Sequence, residues 1–221
     1  MRILVVEDNL EISHYLAKGL RQESFAVDTV ADGKAGLNAA LSYDYDLIIT
    51  DLNLPEIKGD ELVARIRQEG KTVPVIVLTV EEGVATKVDL LAHCDDYMTK
   101  PFSFQELSAR IRAILRRGSV LTSDVLKIDD LIVDVRSFKV ERAGKEIRLR
   151  NKEFSLLEFM MRNAGSVLTR TEILEKVWDM NVDPLTNTVD VHINHLREKI
   201  DVGFKRKLLQ TVPGRGYKLE L

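Results

Sequence analysis

The chain has 221 residues, of which 45% are hydrophobic and 30% charged, a composition typical of a globular protein with one large domain or two ordinary ones. The net charge of −3 is uneven, with 14 Lys/Arg against 19 Asp/Glu up to residue 118 and 18 against 16 after it, so a nucleic-acid surface is expected only in the second half. No apolar run approaches the ~20 residues of a membrane span, and MRILVVED reaches acidic residues too soon for a signal peptide, so we expect a cytoplasmic protein with no membrane partner.

Residues 1–118 alternate short apolar runs with longer segments of helical spacing. The runs ILVV, FAVDTVA, DLIIT, VPVIVLT and DYMT predict five β-strands, and the segments between them are long enough for crossover helices. Apolar residues recur every four positions in the first of these segments, at Ile12, Leu16 and Leu20. The pattern predicts an α/β domain with a parallel sheet over residues 1–118, followed by a linker at residues 119–124.

From residue 125 the pattern changes to short alternating strands, then three helical segments, then a terminal hairpin. The second of these helices opens with Thr169, followed three residues later by Glu172, which is the pattern of a capping box. An order of strands, three helices and a hairpin is what a helix-turn-helix with a β-wing requires. We therefore expect an α+β winged helix-turn-helix domain at residues 125–221.

Polar residues stand where the predicted parallel strands end. They are Glu7 and Asp8 after the first strand, Asp51 at the end of the third, Thr79 at the end of the fourth, and Lys100 after the fifth. Because parallel strands end along one edge of a sheet, these side chains are expected to share one crevice. Adjacent carboxylates disfavour joint ionisation unless a cation binds, and oxygen ligands suit Mg²⁺. Asp8 and Asp51 are candidate direct ligands, with Glu7 acting through water and the carbonyl of Asn53 supplying a further oxygen.

The same set carries the groups that phosphoryl transfer to a carboxylate needs. Asp51 would be the nucleophile, Mg²⁺ and Lys100 would neutralise the phosphoryl oxygens, and Thr79 would contact the new group. A metal-dependent phosphatase with an aspartyl nucleophile is an alternative. Such enzymes typically place a second Asp two residues after the first, where this chain has Asn53.

The motifs VVEDN, DLNLP with a following Gly, VLT and DDYMTKPF resemble the receiver domain of two-component response regulators, over residues 1–118. The resemblance implies a doubly wound, flavodoxin-like fold with five parallel strands, phosphorylated by a sensor histidine kinase. The residue assignments that it implies are Asp51 as phosphoacceptor, Mg²⁺ at Asp8, Asp51 and the Asn53 carbonyl, Thr79 and Tyr97 as a switch pair, and a cis peptide bond between Lys100 and Pro101.

The segment TNTVDVHINHLREKI, residues 186–200, has the spacing of an amphipathic helix. Its apolar stripe consists of Val189, Ile193, Leu196 and Ile200. The opposite face carries few charges and suits base edges; its residues are Asn187, Thr188, Val191, Asn194 and His195. Asn can pair with adenine and Val can contact a thymine methyl group. Arg197 and Lys199 flank this face at positions suited to phosphates.

TVDVHINHLREKI and TVPGRGYKL, with EFSLLEFMMRNAGSVLTRTEILEKVW upstream, resemble the winged-helix effector domain of OmpR/PhoB-type response regulators, across residues 125–221. The resemblance implies a recognition helix in the major groove and a wing that reaches the minor groove. Pro213 stands where the family often has Arg, so we assign the minor-groove contact to Arg215. Arg150 and Asn151 replace the usual Thr-Pro before the first effector helix, so that cap is expected to be weaker or to fall on Asn151.

These resemblances together predict a phosphorylation-dependent transcription regulator rather than an enzyme with turnover. Its expected partners are promoter DNA with direct repeats, a sensor histidine kinase, a second copy of the chain on activation, and RNA polymerase. An alternative is a regulator that binds DNA without phosphorylation, in which the acidic pocket would be vestigial. The complete set of Asp8, Asp51, Thr79 and Lys100 argues against that alternative.

The segment between Thr79 and Lys100 departs most from the family pattern. It is about one residue shorter than usual. The loss of one residue from a helix rotates the residues that follow it by ~100° about the helix axis. By resemblance, Lys87 and Asp89 would pair across the activated dimer with charges such as Arg110. We predict that the rotation turns both of them away from that interface.

Two side chains at the ends of this segment carry separate predictions. Val80 stands beside Thr79, where the family usually has a small residue, and is expected to narrow the access to Asp51. Cys94 is the single cysteine, which excludes an internal disulfide and a zinc site built on cysteines. We expect Cys94 to be a small buried hydrophobic residue.

Overall fold

The protein is described from a computed structural model in residues 1–80, 94–117, 125–180, 182 and 186–220. The chain forms two compact units that divide between residues 120 and 121. The domain boundaries expected at residues 118 and 125 stay a prediction, because the residues between them lie outside the described ranges. No helix within those ranges combines the length with the apolar character that crossing a bilayer requires.

The first unit is built on a parallel sheet of five strands in the order β2-β1-β3-β4-β5. The strands are β1 (Arg2–Val6), β2 (Ala26–Val30), β3 (Leu47–Asp51), β4 (Val75–Thr79) and β5 (Asp96–Thr99). The described helices are α1 (Leu10–Gln22), α2 (Gly33–Ser42), α3 (Gly59–Gln68) and α4 (Phe104–Arg117). This is the doubly wound, flavodoxin-like fold that the sequence predicts.

The three central strands are buried at every position, as expected for a parallel sheet with helices on both faces. Leu16 and Leu20 of α1 pack with Leu107 and Ile111 of α4 in the core on one face, and Ile12 packs against the same core, so the apolar stripe predicted for the first helix is confirmed. A second core on the other face includes residues of α2 and α3, and Cys94 is buried in it as predicted. Because all five strands run the same way, their carboxyl ends lie along one edge of the sheet.

The second unit contains two antiparallel sheets and three helices. The first sheet has the order β6-β7-β8-β9, with β6 (Val125–Ile128), β7 (Leu131–Asp134), β8 (Lys139–Arg142) and β9 (Lys145–Glu146). The helices are α5 (Asn151–Arg162), α6 (Arg170–Val177) and α7 (Thr188–Ile200). The second sheet has the order β10-β12-β11, with β10 (Val167–Leu168), β11 (Leu209–Val212) and β12 (Gly216–Leu219). This arrangement is the predicted winged helix.

Two helix starts in this unit were predicted, with different outcomes. Thr169 Oγ1 accepts the Glu172 N–H at 3.2 Å and Glu172 Oε2 accepts the Thr169 N–H at 2.7 Å, which confirms the capping box. For α5 the sequence allowed either a weaker cap or a cap on Asn151, and the structure has the first, because Arg150 is the N-cap and makes no side-chain capping bond. A guanidinium group carries only donors and cannot accept a helix N–H, so this cap is the weaker one that the sequence also allowed.

A buried ion pair joins β8 to the end of α7. Arg142 is fully buried, donates to Asp201 Oδ1 at 2.6 Å and also donates to the carbonyl of Ile200. The Asp201 carboxylate accepts the backbone N–H groups of Leu208 and Leu209 at 2.9 Å and 3.1 Å. One charge pair therefore fixes the four-stranded sheet, the end of α7 and the entry to β11 relative to each other.

We predict that Asp201→Asn lowers the free energy of unfolding of this unit by about 3 kcal/mol, because the buried Arg142 loses its buried partner. Trp178 is the single tryptophan of the chain and is buried in this unit, so its fluorescence during urea titration reports the transition. Asp129→Asn is the control, since it breaks an exposed pair with Arg206 and should cost less than ~1 kcal/mol. Equal losses in the two variants would contradict a central role for the buried pair.

Candidate functional site

Three acidic residues of the first unit lie where two strands end. Glu7 and Asp8 come directly after β1, and Asp51 is the last residue of β3. Glu7 continues the sheet beyond β1, since its N–H donates to the Val30 carbonyl at 3.0 Å. Asn9 then caps α1, where its side chain accepts the N–H groups of Glu11 and Ile12. This cap, which the sequence analysis did not identify, leaves Glu7 and Asp8 in the two positions between the strand and the N-cap.

Four of the predicted site residues meet in one pocket. Glu7, Asp8 and Asp51 present carboxylate oxygens that all lie within 4.8 Å of one another. Lys100 Nζ donates to Glu7 Oε2 at 2.8 Å and to Asp51 Oδ2 at 2.9 Å. The Asn53 N–H lies 3.4 Å from Asp51 Oδ1. Glu7 and Asp51 are buried, whereas Asp8 is exposed, so solvent reaches the cluster from the side of Asp8.

Lys100 neutralises only part of the negative charge in this pocket. Burial raises the pKa of Glu7, although the hydrogen bond from Lys100 opposes this effect. Burial alone would lower the pKa of Lys100, but its hydrogen bonds to Asp51 and Glu7 outweigh burial and raise it. Lys100 therefore stays a cation. One ammonium group facing three carboxylates leaves a pocket that favours a further cation, and its oxygen-only ligands suit a hard divalent ion.

The two predicted switch residues lie on neighbouring strands. Val77 pairs with Tyr97 and Thr79 pairs with Thr99, so Thr79 and Tyr97 face the same side of the sheet. Thr79 is buried, and Tyr97 is half-buried against the core that contains Cys94. The peptide bond between Lys100 and Pro101 is cis, as predicted. The switch role of the pair stays a prediction.

The segment between Thr79 and Lys100, which departs from the family pattern, is only partly within the described residues. Val80 is 61% exposed, and its effect on access to Asp51 stays a prediction. Lys87 and Asp89 lie outside the described residues. Arg110 forms ion pairs within its own unit, with Asp96 at 2.8 Å and Glu106 at 2.9 Å.

The helix α7 of the second unit has the two faces that the sequence predicts. The four residues of its apolar stripe are buried in the core of the unit. The residues predicted to face base edges lie on the other side; Asn187, Val191, Asn194 and His195 are exposed, and Thr188 is half-buried. Arg215 is exposed in the turn between β11 and β12. These positions agree with a nucleic-acid interface, and the individual contacts stay predictions.

The two basic residues assigned to phosphates have partners within their own unit. Lys199 Nζ lies 2.5 Å from Oε2 of the buried Glu153, near the start of α5. Arg197 donates to Asn194 Oδ1 at 3.0 Å and to Thr211 Oγ1 of β11 at 2.9 Å. Both side chains therefore hold α7 to its surroundings, whether or not they also contact phosphates.

A further polar cluster that the sequence analysis missed joins three elements of the second unit. Arg170 in the first turn of α6 donates to Asp190 of α7 at 2.8 Å and to the Tyr217 hydroxyl of β12 at 3.1 Å. The Tyr217 hydroxyl also donates to Asp190. Asp190 and Tyr217 lie in the TVDVHI and GRGYKL motifs, but no spacing rule links residues so far apart in the chain.

The comparisons with known proteins agree with this architecture. Residues 3–112 match the family described as response regulator receiver domain, and residues 144–219 match the family described as transcriptional regulatory protein, C terminal. The chain is 45% identical to the transcriptional regulatory protein CusR of Escherichia coli over 100% of this chain and 98% of that protein. It is 46% identical to the transcriptional activator protein IrlR of Burkholderia pseudomallei over 100% of this chain and 96% of that protein. Among solved structures, the receiver domain of the Francisella response regulator 1452 superposes with a TM-score of 0.52 and 28% identity over 53% of this chain and 98% of that chain.

Glu153 makes the stability of the second unit dependent on pH. Burial raises the pKa of its carboxyl group, but the hydrogen bonds from Lys199 and from the Arg150 N–H outweigh burial, so the pKa lies below its ordinary value of 4.5. A lowered pKa contributes stability that is fully present above the unfolded value and is lost as pH falls through the folded value.

We therefore predict that the free energy of unfolding of this unit falls from about pH 5 to about pH 3, and that Glu153→Gln makes this fall shallower. Trp178 fluorescence during urea titration at each pH measures the effect. Glu198→Gln is the matched control, because Glu198 is exposed on α7. A profile for Glu153→Gln as steep as that of wild type would contradict the assignment.

Proposed function

Because this chain belongs to the two-component response regulators with an OmpR/PhoB-type effector domain, and is a DNA-binding transcription regulator, we propose that phosphorylation of Asp51 by a sensor histidine kinase controls its binding to promoter DNA. The observation that carries this proposal is the pocket at the end of β3. There the Asp51 carboxylate lies 2.9 Å from the Lys100 ammonium group and beside two further carboxylates.

The transfer needs little chemistry from the protein beyond position and charge. An oxygen of the Asp51 carboxylate attacks phosphorus, and the bond between phosphorus and the histidine nitrogen of the kinase breaks. Lys100 stands beside Asp51 Oδ2 and neutralises charge on the phosphoryl oxygens. The Thr79 hydroxyl contacts the new group, and Tyr97 on the same side of the sheet follows the movement of Thr79.

The ligands of the pocket fit Mg²⁺. Glu7, Asp8 and Asp51 offer only oxygen atoms, all within 4.8 Å of one another, and the carbonyl of Asn53 is the further ligand that we propose. When bound, the ion supplies positive charge for the phosphoryl oxygens. In this proposal Asp8 and Asp51 are the direct ligands, and Glu7 acts through water.

The effector unit supplies the DNA contacts. We propose that α7 lies in the major groove with Asn187, Thr188, Val191, Asn194 and His195 towards the bases, and that Arg215 reaches the minor groove. Two copies of the chain would bind direct repeats after phosphorylation and act on RNA polymerase. The expected cytoplasmic location belongs to the same proposal.

Two alternatives are weaker. A phosphatase with an aspartyl nucleophile would need an acid or base where this chain has Asn53, and the relatives that cover the whole chain are named as transcription regulators. A regulator independent of phosphorylation would not need the complete set of Asp8, Asp51, Thr79 and Lys100 at one edge of the sheet. Both arguments favour the phosphorylated regulator.

The acceptor assignment predicts that the wild-type protein gains one phosphoryl group when incubated with Mg²⁺ and a small phosphodonor, and that Asp51→Asn gains none. Asp60→Asn is the control, since Asp60 is exposed at the start of α3 and should leave labelling unchanged. Intact mass measures the result. Labelling of Asp51→Asn to the wild-type level would overturn the assignment.

The metal assignment predicts that Mg²⁺ stabilises the receiver unit, by about 2.7 kcal/mol at a concentration of 100 times the Kd. Asp8→Asn should reduce this gain, because Asp8 is a proposed direct ligand, whereas Asp60→Asn should keep it. Urea titration followed by circular dichroism, compared with Trp178 fluorescence from the other unit, separates the receiver transition. The same gain in Asp8→Asn as in wild type would remove Asp8 from the ligand set.

The wing assignment predicts that Arg215→Ala weakens DNA binding and lowers the slope of log affinity against log salt concentration by about one. Lys127→Ala is the control of equal charge change, because Lys127 is exposed on β6. Binding of the full-length protein to a duplex selected from a random library measures both slopes. Equal slopes for wild type and Arg215→Ala would place Arg215 outside the interface.

A further inference from the structure

The first turn of α2 lies against the loop that follows Asp51. The backbone N–H of Gly33, the first residue of α2, donates to the carbonyl of Pro55 at 3.1 Å. A Cβ at Gly33 would lie 1.9 Å from the carbonyl oxygen of Ile57, which is closer than Cβ atoms approach other atoms. Only a residue without a side chain therefore allows the backbone of α2 to come this close to the loop.

The contact holds the segment that carries the further metal ligand of the proposed site. Leu52, at the start of the segment, donates its N–H to a carbonyl of β4 at 2.9 Å and accepts the first N–H of α3 at 2.8 Å. Pro55 is the second anchor. Between the two anchors only Asn53 and Leu54 remain, and Leu54 is buried. The contact with Gly33 therefore limits how far the carbonyl of Asn53 can move.

On the basis of the proposed metal site, we propose that Gly33 is a positioning residue for Mg²⁺ binding, which acts through Pro55 on the carbonyl of Asn53. Mg²⁺ requires short oxygen distances in a nearly octahedral arrangement, so a carbonyl that has to move before it binds costs affinity. Because Gly33 contacts the backbone of the loop, its replacement should change the affinity for Mg²⁺. The rate of phosphoryl transfer at saturating Mg²⁺ should change little.

Gly33→Ala tests this role, and Gly36→Ala is the matched control. Both variants add one methyl group at a buried position of α2. The new Cβ at Gly33 meets the backbone of the loop, whereas the new Cβ at Gly36 meets side-chain atoms of Val6 at 3.0 Å and of Leu62 at 3.3 Å. Gly36→Ala therefore repeats the substitution on the same helix without displacing the loop.

Urea titrations of the full-length protein over a series of Mg²⁺ concentrations, followed by circular dichroism, give the Kd for Mg²⁺ from the stability that the ion adds to the receiver unit. Gly33→Ala is expected to raise this Kd by about tenfold, as for other groups that orient metal ligands, and Gly36→Ala should leave it unchanged. A role in packing alone would lower stability equally with and without Mg²⁺. A wild-type Kd in folded Gly33→Ala would therefore overturn the inference.

A second pair of variants decides the matter if Gly33→Ala does not fold. Asp32 caps α2, since its Oδ1 accepts the Ala35 N–H at 2.7 Å. Asp32→Ala removes this cap and loosens the turn that begins with Gly33, whereas Asp32→Asn removes the same charge and keeps a good capping residue. A higher Kd for Mg²⁺ in Asp32→Ala than in Asp32→Asn would support the inference, and equal values would contradict it.

Labelling with a small phosphodonor separates the metal from the transfer step. The Mg²⁺ concentration that gives half the maximal labelling rate should rise in Gly33→Ala together with the Kd, while the maximal rate stays near that of wild type. A lower maximal rate with an unchanged half-maximal concentration would overturn the inference and leave the proposed metal site intact. Absence of any stabilisation of wild type by Mg²⁺ would overturn the proposed site, and this inference with it.

Discussion

The receiver unit depends on one ammonium group that two buried carboxylates share. Lys100 lies 93 residues from Glu7 and 49 from Asp51 in the chain, yet its Nζ is within 2.9 Å of both. Burying Glu7 and Asp51 without a cation would be costly, so Lys100 is needed before the pocket can exist. The parallel sheet brings the three residues to one edge, and their charges then hold that edge together. The same arrangement places Asp51 beside the positive charge that the proposed phosphorylation would require.

In the effector unit, polar contacts likewise fix the position of α7. The apolar stripe buries one side of the helix, but it does not fix the position of the helix along the core. Lys199 with Glu153, Arg197 with Thr211, and Arg142 with Asp201 connect the helix and its end to α5, β11 and β8. Arg197 and Lys199, the two basic residues that flank the proposed DNA-binding face, therefore both have a structural partner. The modest positive charge of this half of the chain consequently overstates what is available for phosphates.

Much of the fold was predictable because its signals are local. Buried runs of Val, Ile and Leu predict the strands of the receiver. The rule that parallel strands end along one edge of the sheet predicts that Glu7, Asp8 and Lys100 lie near Asp51. Contacts between distant residues that no topological rule brings together were not predictable, as with Arg142 and Asp201, 59 residues apart, or Lys199 and Glu153, 46 residues apart. The glycine after DLNLP shows the same limit. A Cβ at Gly59 would lie 2.1 Å from the Asp51 carbonyl oxygen, a constraint that only the packed structure reveals.

The central claim is that the state of Asp51 controls the affinity of α7 and the wing for DNA. The most direct test measures the affinity of the full-length protein for a duplex that it selected, in Mg²⁺ with and without beryllofluoride as a phosphoryl mimic. Our account predicts tighter binding by wild type when the mimic is added and no change in Asp51→Asn. Equal affinity of wild type with and without the mimic, or the same gain in Asp51→Asn, would contradict it.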